Sequence, residues 1–230
     1  MLEVPLPKAA AWAPWSSDRS WLAERDEVAA LWIDERAVAD GRPVIVQAPS
    51  DAAAYRRDRG PVGELARAGR VATYKSPAGH GPTFVDSADI KLLATGMQTA
   101  NGNVIVATET PMLPLDGWAG AVGAVNLLTG EQEPDRRTVE QVELLDRFVS
   151  LLYNGWAHKQ VGRRASATYL PKLVEAGMSY SMFVGSMLVA DPRHLDSLSD
   201  IAEMKRALPE AWREQDRRVV TAARDAFLAG

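Results

Sequence analysis

The side chains best suited to chemistry are carboxylates that stand near the predicted ends of a helix and a strand. Asp86 and Asp89 precede a helical pattern that begins at Ile90, and Glu109 directly follows an apolar run typical of a buried strand. Ligand chemistry in open α/β folds takes place at the carboxyl edge of the sheet. Carboxylates that meet there repel one another, and a divalent cation such as Mg²⁺ or Mn²⁺ relieves that repulsion. The pattern therefore indicates a candidate metal site.

The same acids also have ordinary structural explanations. Asp86 is a suitable N-cap, and Asp89 in a first helical turn would complement the helix dipole. Glu109 would be a solvated loop residue. The metal-site hypothesis requires in addition that the helix start and the strand end lie on the same edge of the sheet, so that the acids face one crevice.

The apolar pattern predicts the elements that would position these acids. Apolar runs without polar alternation are typical of strands buried on both faces of a parallel sheet. Such runs occupy residues 43–48, 103–108 and 121–128, with a further candidate at 70–74. Strands that alternate with helices predict an α/β fold with a three-layer core and a short, mainly parallel sheet. The helices of this core are predicted at 20–39, at 52–58, at 62–68, and from a cap at Asp86 or Ser87 to Asn101-Gly102.

The character of the chain changes near Gly130. Beyond it, Thr138 and Gln141 form a capping box ahead of an amphipathic stripe, which predicts a helix. We therefore divide the chain into an α/β core over residues 1–130 and a C-terminal helical extension over residues 131–230 that packs on the core. Two further helices of the extension are predicted at 169–190 and from Leu198 onward.

The acids and their surroundings resemble the third and fourth motifs of PIN-like nucleases. In that family an acid opens a helix, as in Val85–Met97, and a strand ends in an acidic turn, as in Asn103–Glu109. Glu64 is similar in position to the central glutamate of that fold, and the resemblance extends from about residue 31 to residue 130. It implies a nuclease that depends on Mg²⁺ or Mn²⁺ and hydrolyses phosphodiester bonds of RNA or DNA. The catalytic acids that it implies are Asp86, Asp89, Glu109 and Glu64.

One motif of the PIN-like family has no counterpart in this chain. Members of that family begin with a strand that carries an aspartate, whereas this N-terminus offers only Glu3, between residues that two prolines keep from forming a central strand. The opening segment is therefore predicted to be irregular. A protein without that acid would be a degenerate member that binds its substrate without cutting it.

A basic stretch in the C-terminal half suits contacts with phosphate groups. Lys159, Arg163 and Arg164 would neutralise the backbone charge of a nucleic acid without reading its sequence. A solvated helix end explains the same residues without any ligand.

Two other functions fit the sequence. In the first, the chain is a non-catalytic module that binds a protein partner or forms a homo-oligomer through a methionine-rich apolar surface, since such surfaces adapt to many partners. Alternatively, it would be a small-molecule enzyme that uses the same crevice, with His80 in the loop over residues 75–82 as acid or base. The surface of the interaction module would comprise Trp156, Met178, Met182, Phe183 and Met187.

Composition narrows the class of protein. A net charge of −4 argues against a protein that coats nucleic acid, and the absence of cysteine excludes disulfides, cysteine-bound zinc and thiol nucleophiles. The apolar run Met182–Ala190 is too short to span a membrane, and no signal peptide is evident, so we expect a cytoplasmic protein. Walker A, dinucleotide-binding, nucleophile-elbow and His-Glu-x-x-His motifs do not occur.

Overall fold

The computed structural model describes residues 5–49, 52–74, 76–111, 113–152, 159–190 and 207–215, together with residues 218 and 221. The strands of this part of the chain are β1 (Ala9–Ala13), β2 (Ile45–Gln47), β3 (Arg70–Ala72), β4 (Thr83–Ala88), β5 (Val104–Glu109) and β6 (Val125–Asn126). They form one sheet in the order β3-β2-β4-β5-β1-β6, and each neighbouring pair is parallel. The α/β fold with a parallel sheet and C-terminal helices is therefore confirmed.

Helices cover both faces of this sheet. The first and third helices bury one face, and the fourth and fifth bury the other. The C-terminal helices extend the second layer, because they share its apolar cluster. The helices are α1 (Arg19–Asp40), α2 (Ala52–Arg57), α3 (Pro61–Ala68), α4 (Ile90–Ala100), α5 (Asp116–Val122), α6 (Val139–Leu151), α7 (Lys159–Glu175) and α8 (Tyr180–Ala190).

At two places on the carboxyl edge, neighbouring strands send the chain to opposite faces of the sheet. β2 is followed by α2 and α3 on one face, whereas the adjacent β4 is followed by α4 on the other. β1 and the adjacent β5 diverge in the same way, toward α1 and α5. Crevices form outside the strand ends at such points, and ligands of open α/β folds bind there.

The prediction of an irregular N-terminal segment was wrong, because β1 lies inside the sheet between β5 and β6. Its sequence is nearly all alanine, which has little intrinsic preference for strands. Burial on both faces stabilises the strand instead. Ala11 and Ala13 belong to the core under α1, and Ala10 and Trp12 belong to the core on the opposite face. Glu3 lies outside the described residues.

The prediction that Asp86 or Ser87 caps the next helix was also wrong. β4 continues through both residues to Ala88, with a bulge in its pairing to β5. The cap of α4 is Asp89, whose Oδ1 accepts a hydrogen bond of 2.6 Å from the backbone N–H of Leu92. Asp86 is therefore a strand residue at the sheet edge.

Two other predicted elements differ in extent. The strand predicted at 121–128 shrinks to β6, because α5 continues to Val122 and Gly123 ends it with a φ of 64°. The helix predicted at 169–190 is two helices, because the chain turns at Gly177 with a φ of 80° between α7 and α8. Most of the helix predicted from Leu198 lies outside the described residues, although residues 210–215 are helical.

The C-terminal helices pack against the core at an unusually close helix crossing. A Cβ atom on Gly185 of α8 would lie 2.2 Å from the backbone nitrogen of Trp118 on α5. A Cβ atom on Gly117 would lie 2.3 Å from the carbonyl oxygen of Ser181. The two backbones therefore touch only because glycine stands at both positions. None of the helices in the described part of the chain is long and apolar enough to cross a membrane.

We expect Gly185→Ala to destabilise the fold. Alanine favours a helix more than glycine does, so the substitution would stabilise α8 if it met no obstacle. The clash with the backbone at Trp118 forces α5 and α8 apart, and such overpacking costs about 1–3 kcal/mol. Urea unfolding measures the loss.

Gly81→Ala is the matched control, because its Cβ would make an ordinary contact of 3.5 Å with Ile45. Equal stability of the native protein and the Gly185→Ala variant would contradict the close crossing.

Candidate active site at the sheet edge

Asp86 lies at the carboxyl edge of β4, where β2 and β4 send the chain to opposite faces. The next residue, Ser87, has a φ of 50°, in the left-handed region that residues other than glycine rarely adopt. Backbone strain of this kind concentrates at functional sites, where the surrounding structure must hold it in place. We call this place the Asp86 crevice, and define it by Asp26, Tyr55, Asp86, Ser87 and Thr108.

Hydroxyl groups hold the carboxylate of Asp86. The Tyr55 hydroxyl donates to Oδ2 at 3.2 Å, and the Thr108 hydroxyl donates to Oδ1 at 3.2 Å. Thr108 Oγ1 in turn accepts a 2.7 Å hydrogen bond from the backbone N–H of Ser87, and the Ser87 hydroxyl donates to Asp86 Oδ1 at 3.3 Å. The bulge of β4 and the end of β5 thus fix the orientation of the carboxylate.

Burial raises the pKa of Asp86 above its ordinary value, and the charge of Asp26 raises this pKa further. The hydrogen bonds from Thr108, Tyr55 and Ser87 oppose that shift but do not cancel it. Burial and the Asp86 charge also raise the pKa of Tyr55, so the phenol keeps its proton and remains a donor. A buried carboxyl whose pKa is raised in part by the charge of a second carboxylate is typical of active sites.

Asp26 is a site residue that the sequence analysis missed. It lies on α1, and its Oδ1 accepts a 3.0 Å hydrogen bond from Nε of Arg25. A signal was present in the sequence. Asp26 continues, at spacings of three and four residues, the buried stripe of Ala30, Ile33 and Ala37, so a carboxylate occupies the inward face of an otherwise apolar stripe.

The carboxylate of Glu109 accepts hydrogen bonds from the backbone of two loops. It is the last residue of β5 and is 8% exposed. Its Oε2 accepts a hydrogen bond of 2.7 Å from the backbone N–H of Trp15, and its Oε1 accepts one of 2.6 Å from that of Leu115. Nη1 of Arg25 donates to the carbonyl oxygen of Glu109 at 2.9 Å. The side chain therefore joins the loops that follow β1 and β5.

Asp89 and Glu64, the other two acids that the resemblance implies, are both exposed. Asp89 is exposed at the start of α4, where it caps the helix and hydrogen-bonds to Tyr74. Burial, with the charge of Asp89, raises the pKa of Tyr74 to about 12. Glu64 is exposed in the first turn of α3. Across the described ranges, no three Asp, Glu or His side chains are grouped so that they would hold a metal ion.

The histidine and the basic residues belong to other elements than these acids. His80 is exposed, and its Nδ1 lies 3.2 Å from the carbonyl oxygen of Gln98 on α4. Arg163 and Arg164 are exposed in the first half of α7. Lys159 begins that helix, so the basic stretch stands at a helix start.

We expect Glu109→Gln to change how stability depends on pH. Burial outweighs the two N–H donors and raises the pKa of Glu109 to about 7, from 4.5 in an exposed chain. A raised carboxyl pKa stabilises the folded state fully below about pH 4.5, and this contribution is lost as the pH rises through about 7. The difference in free energy of unfolding between native protein and variant should shrink over this window by about 3 kcal/mol.

Urea unfolding at several pH values measures that difference. Glu64→Gln serves as the control, because its side chain is exposed, and it should leave the pH profile of the native protein unchanged. Parallel profiles for the native protein and Glu109→Gln would contradict the buried, proton-binding carboxyl.

Comparison of the chain with protein-family models, with curated proteins and with solved structures finds no match to any of them. The resemblance to PIN-like nucleases accordingly stays a prediction from the sequence. The inference of a function therefore rests on the contacts around Asp86 and the charges beside it.

Proposed function

We propose that the protein is a divalent-metal-dependent phosphodiesterase that acts on RNA or DNA, with the Asp86 crevice as its reaction centre. The observation that carries the proposal is the buried carboxylate of Asp86, held by hydroxyl groups beside the strained backbone of Ser87 and near enough to Asp26 for its charge to raise the Asp86 pKa. Of the acids that the resemblance implied, only Asp86 stands in this crevice. Asp26 takes the place of a second ligand.

The two carboxylates suit Mg²⁺ or Mn²⁺. Mg²⁺ is usually held by one or two carboxylates, with waters and substrate phosphate oxygens completing the coordination, so a full cage of protein ligands is not required. Asp86 and Asp26 are the residues that would hold it, and their mutual repulsion is the charge that a cation relieves. When bound, the ion supplies a Lewis acid for the phosphoryl oxygens and lowers the pKa of a water molecule.

The surrounding side chains have defined roles in this proposal. Thr108 and Ser87 orient Asp86 through their hydroxyl groups, and Arg25 orients Asp26. The Tyr55 phenol keeps its proton and donates to Asp86. Because the pKa of Asp86 is raised, protons compete with a metal ion for this carboxylate up to a higher pH than at an exposed aspartate, so metal affinity falls as the pH falls.

A nucleic-acid substrate is supported by exposed positive charge. Arg163 and Arg164 are exposed on α7 and are available for phosphate contacts. The competing interaction-module hypothesis has less support, since Met178 and Phe183 of its apolar surface are each 2% exposed. They pack inside the core instead of facing a partner. Trp156 of that surface lies outside the described residues.

Titration calorimetry with Mn²⁺ tests the proposal. We expect Asp86→Asn and Asp26→Asn each to weaken Mn²⁺ binding at least about tenfold, because each removes one charged ligand. The same variants should lose cleavage of single-stranded RNA or DNA. Asp89→Asn, which preserves the helix cap, should bind Mn²⁺ as the native protein does.

Asp34→Asn is the matched control for Asp26→Asn, because Asp34 is an exposed aspartate on the same helix. Mn²⁺ binding that survives Asp86→Asn, or that disappears in Asp89→Asn alone, would refute the Asp86 crevice as the metal site.

A further inference from the structure

A polar cavity of about 440 Å³ lies on the face of the sheet that carries α4. Its volume falls in the range of small-molecule sites, which runs from about 300 to 1,000 Å³. The cavity is enclosed by the end of β2, the segment between β3 and β4, and one side of α4. The side chains that line it include Gln47, Thr73, Tyr74, His80, Lys91 and Gln98.

The cavity exists because β3 and β4 are joined without a helix. A parallel crossover usually places a helix over the sheet, but here the described residues of the crossover, 73–74 and 76–82, form no helix. Gly81 donates its backbone N–H to the carbonyl oxygen of Thr99 at 3.1 Å. His80 contacts the neighbouring carbonyl of Gln98. The segment is thus tied to the end of α4, with open space beneath it.

Buried polar groups form the floor of the cavity. Gln47 is fully buried at the end of an otherwise apolar strand, where an unpaired amide would be costly. Its Oε1 accepts a 3.0 Å hydrogen bond from the hydroxyl of Thr99, and its Nε2 donates to the carbonyl oxygen of Ala72 at 3.4 Å. A fixed polar floor gives a ligand hydrogen-bonding groups in defined positions.

Lys91 is the one formally charged residue among the described residues that line the cavity, and Asp89 lies behind the wall, hydrogen-bonded to Tyr74. None of the described residues that line the cavity has a carboxylate. Lys91 and His80 have side-chain nitrogen donors. Nζ of Lys91 lies 4.4 Å from the ring centre of Tyr74, which holds the ammonium group at the cavity wall. The guanidinium of Arg70 donates to the carbonyl oxygen of Ala78, within the same covering segment.

The orientation of His80 adds a donor or acceptor for a ligand. If Nδ1 carries the proton that it donates to the carbonyl oxygen of Gln98, then Nε2 is left to face a ligand. In that tautomer Nε2 would accept a hydrogen bond from the P–OH of a phosphate group bound beside Lys91.

We propose that this cavity binds a small polar molecule that carries a phosphate group, with the phosphate between Lys91 and His80. The polar floor around Gln47 and Thr99 receives the uncharged part of the ligand. The cavity adjoins the Asp86 crevice through Tyr74, which is an electrostatic neighbour of Tyr55, but its α4 wall belongs to one face of the sheet, and Tyr55 and Asp26 approach Asp86 from the other. The inference therefore does not depend on the proposed metal chemistry.

Two-dimensional ¹H–¹⁵N NMR with inorganic phosphate as the probe tests this proposal, in the presence of EDTA so that no metal contributes. We expect the amide signals of residues 73–82 and 91–99 to shift and to saturate. Lys91→Met should weaken phosphate binding about tenfold or more, because a charge-assisted hydrogen bond is lost.

Lys172→Met is the matched control, since that lysine also lies over a tyrosine ring, 5.8 Å from the centre of Tyr169, but far along the chain in α7. It should bind phosphate as the native protein does. Absence of saturable shifts in the native protein, equal binding by Lys91→Met, or shifts confined to Arg163 and Arg164 would each overturn the proposal.

The fold of each variant is checked in the same spectra. His80→Ala provides a second readout, because it removes the imidazole from an exposed loop residue with little demand on packing. We expect it to weaken phosphate binding, because the hydrogen bond between the ring and the phosphate is lost. Equal phosphate affinity of the native protein and this variant would contradict the placement of the phosphate beside His80.

Discussion

The carboxylate of Glu109 joins the loops at the carboxyl edge of the sheet. It accepts backbone hydrogen bonds from Trp15, which precedes α1, and from Leu115, which precedes α5. The carbonyl oxygen of the same residue holds Arg25, and Arg25 orients the neighbouring Asp26. Glu109 thus fixes the segment that leads into α1, while the buried residues Ala30 and Ile33 pack that helix on the sheet, and together they bring Asp26 toward Asp86.

A second constraint acts on the other side of the crevice. The bulge in β4 and the positive φ of Ser87 turn Asp86 toward Tyr55, and the hydrogen bond from Ser87 to Thr108 holds the strained backbone. Strain and a raised carboxyl pKa occur together here, and although both lower stability, both concentrate at functional sites. Glu109 and Asp86 therefore differ in role: one holds the framework, and the other faces the crevice.

The sequence predicted the class of fold well because that class follows from apolar periodicity. Residues 19–40 and 139–151 show helical stripes with clear caps, and the buried runs near Val46 and Val106 predict strands without ambiguity. β1 escaped prediction because an alanine-rich segment becomes a strand only through neighbours that are distant in sequence. The cap of α4 was placed at Asp86 or Ser87 because short polar residues suit a cap and a bulged strand end alike.

The candidate site was predicted only in part, for a related reason. Asp86 was found because acids at strand ends are visible in the sequence, but its partner Asp26 comes from a helix sixty residues earlier. Glu109 and Asp89 have the right residue type and position, yet backbone N–H groups engage both. Which acids meet depends on loop paths across the sheet edge, and local patterns do not encode those paths.

A ¹³C NMR titration of the Asp86 carboxyl tests the proposal that Asp86 and Asp26 share a metal ion. We expect a pKa above the ordinary aspartate value in the native protein, a lower pKa in Asp26→Asn, and a lower pKa when Mg²⁺ is added. An Asp86 carboxyl that titrates like an exposed aspartate, and that responds neither to Asp26→Asn nor to Mg²⁺, would contradict it.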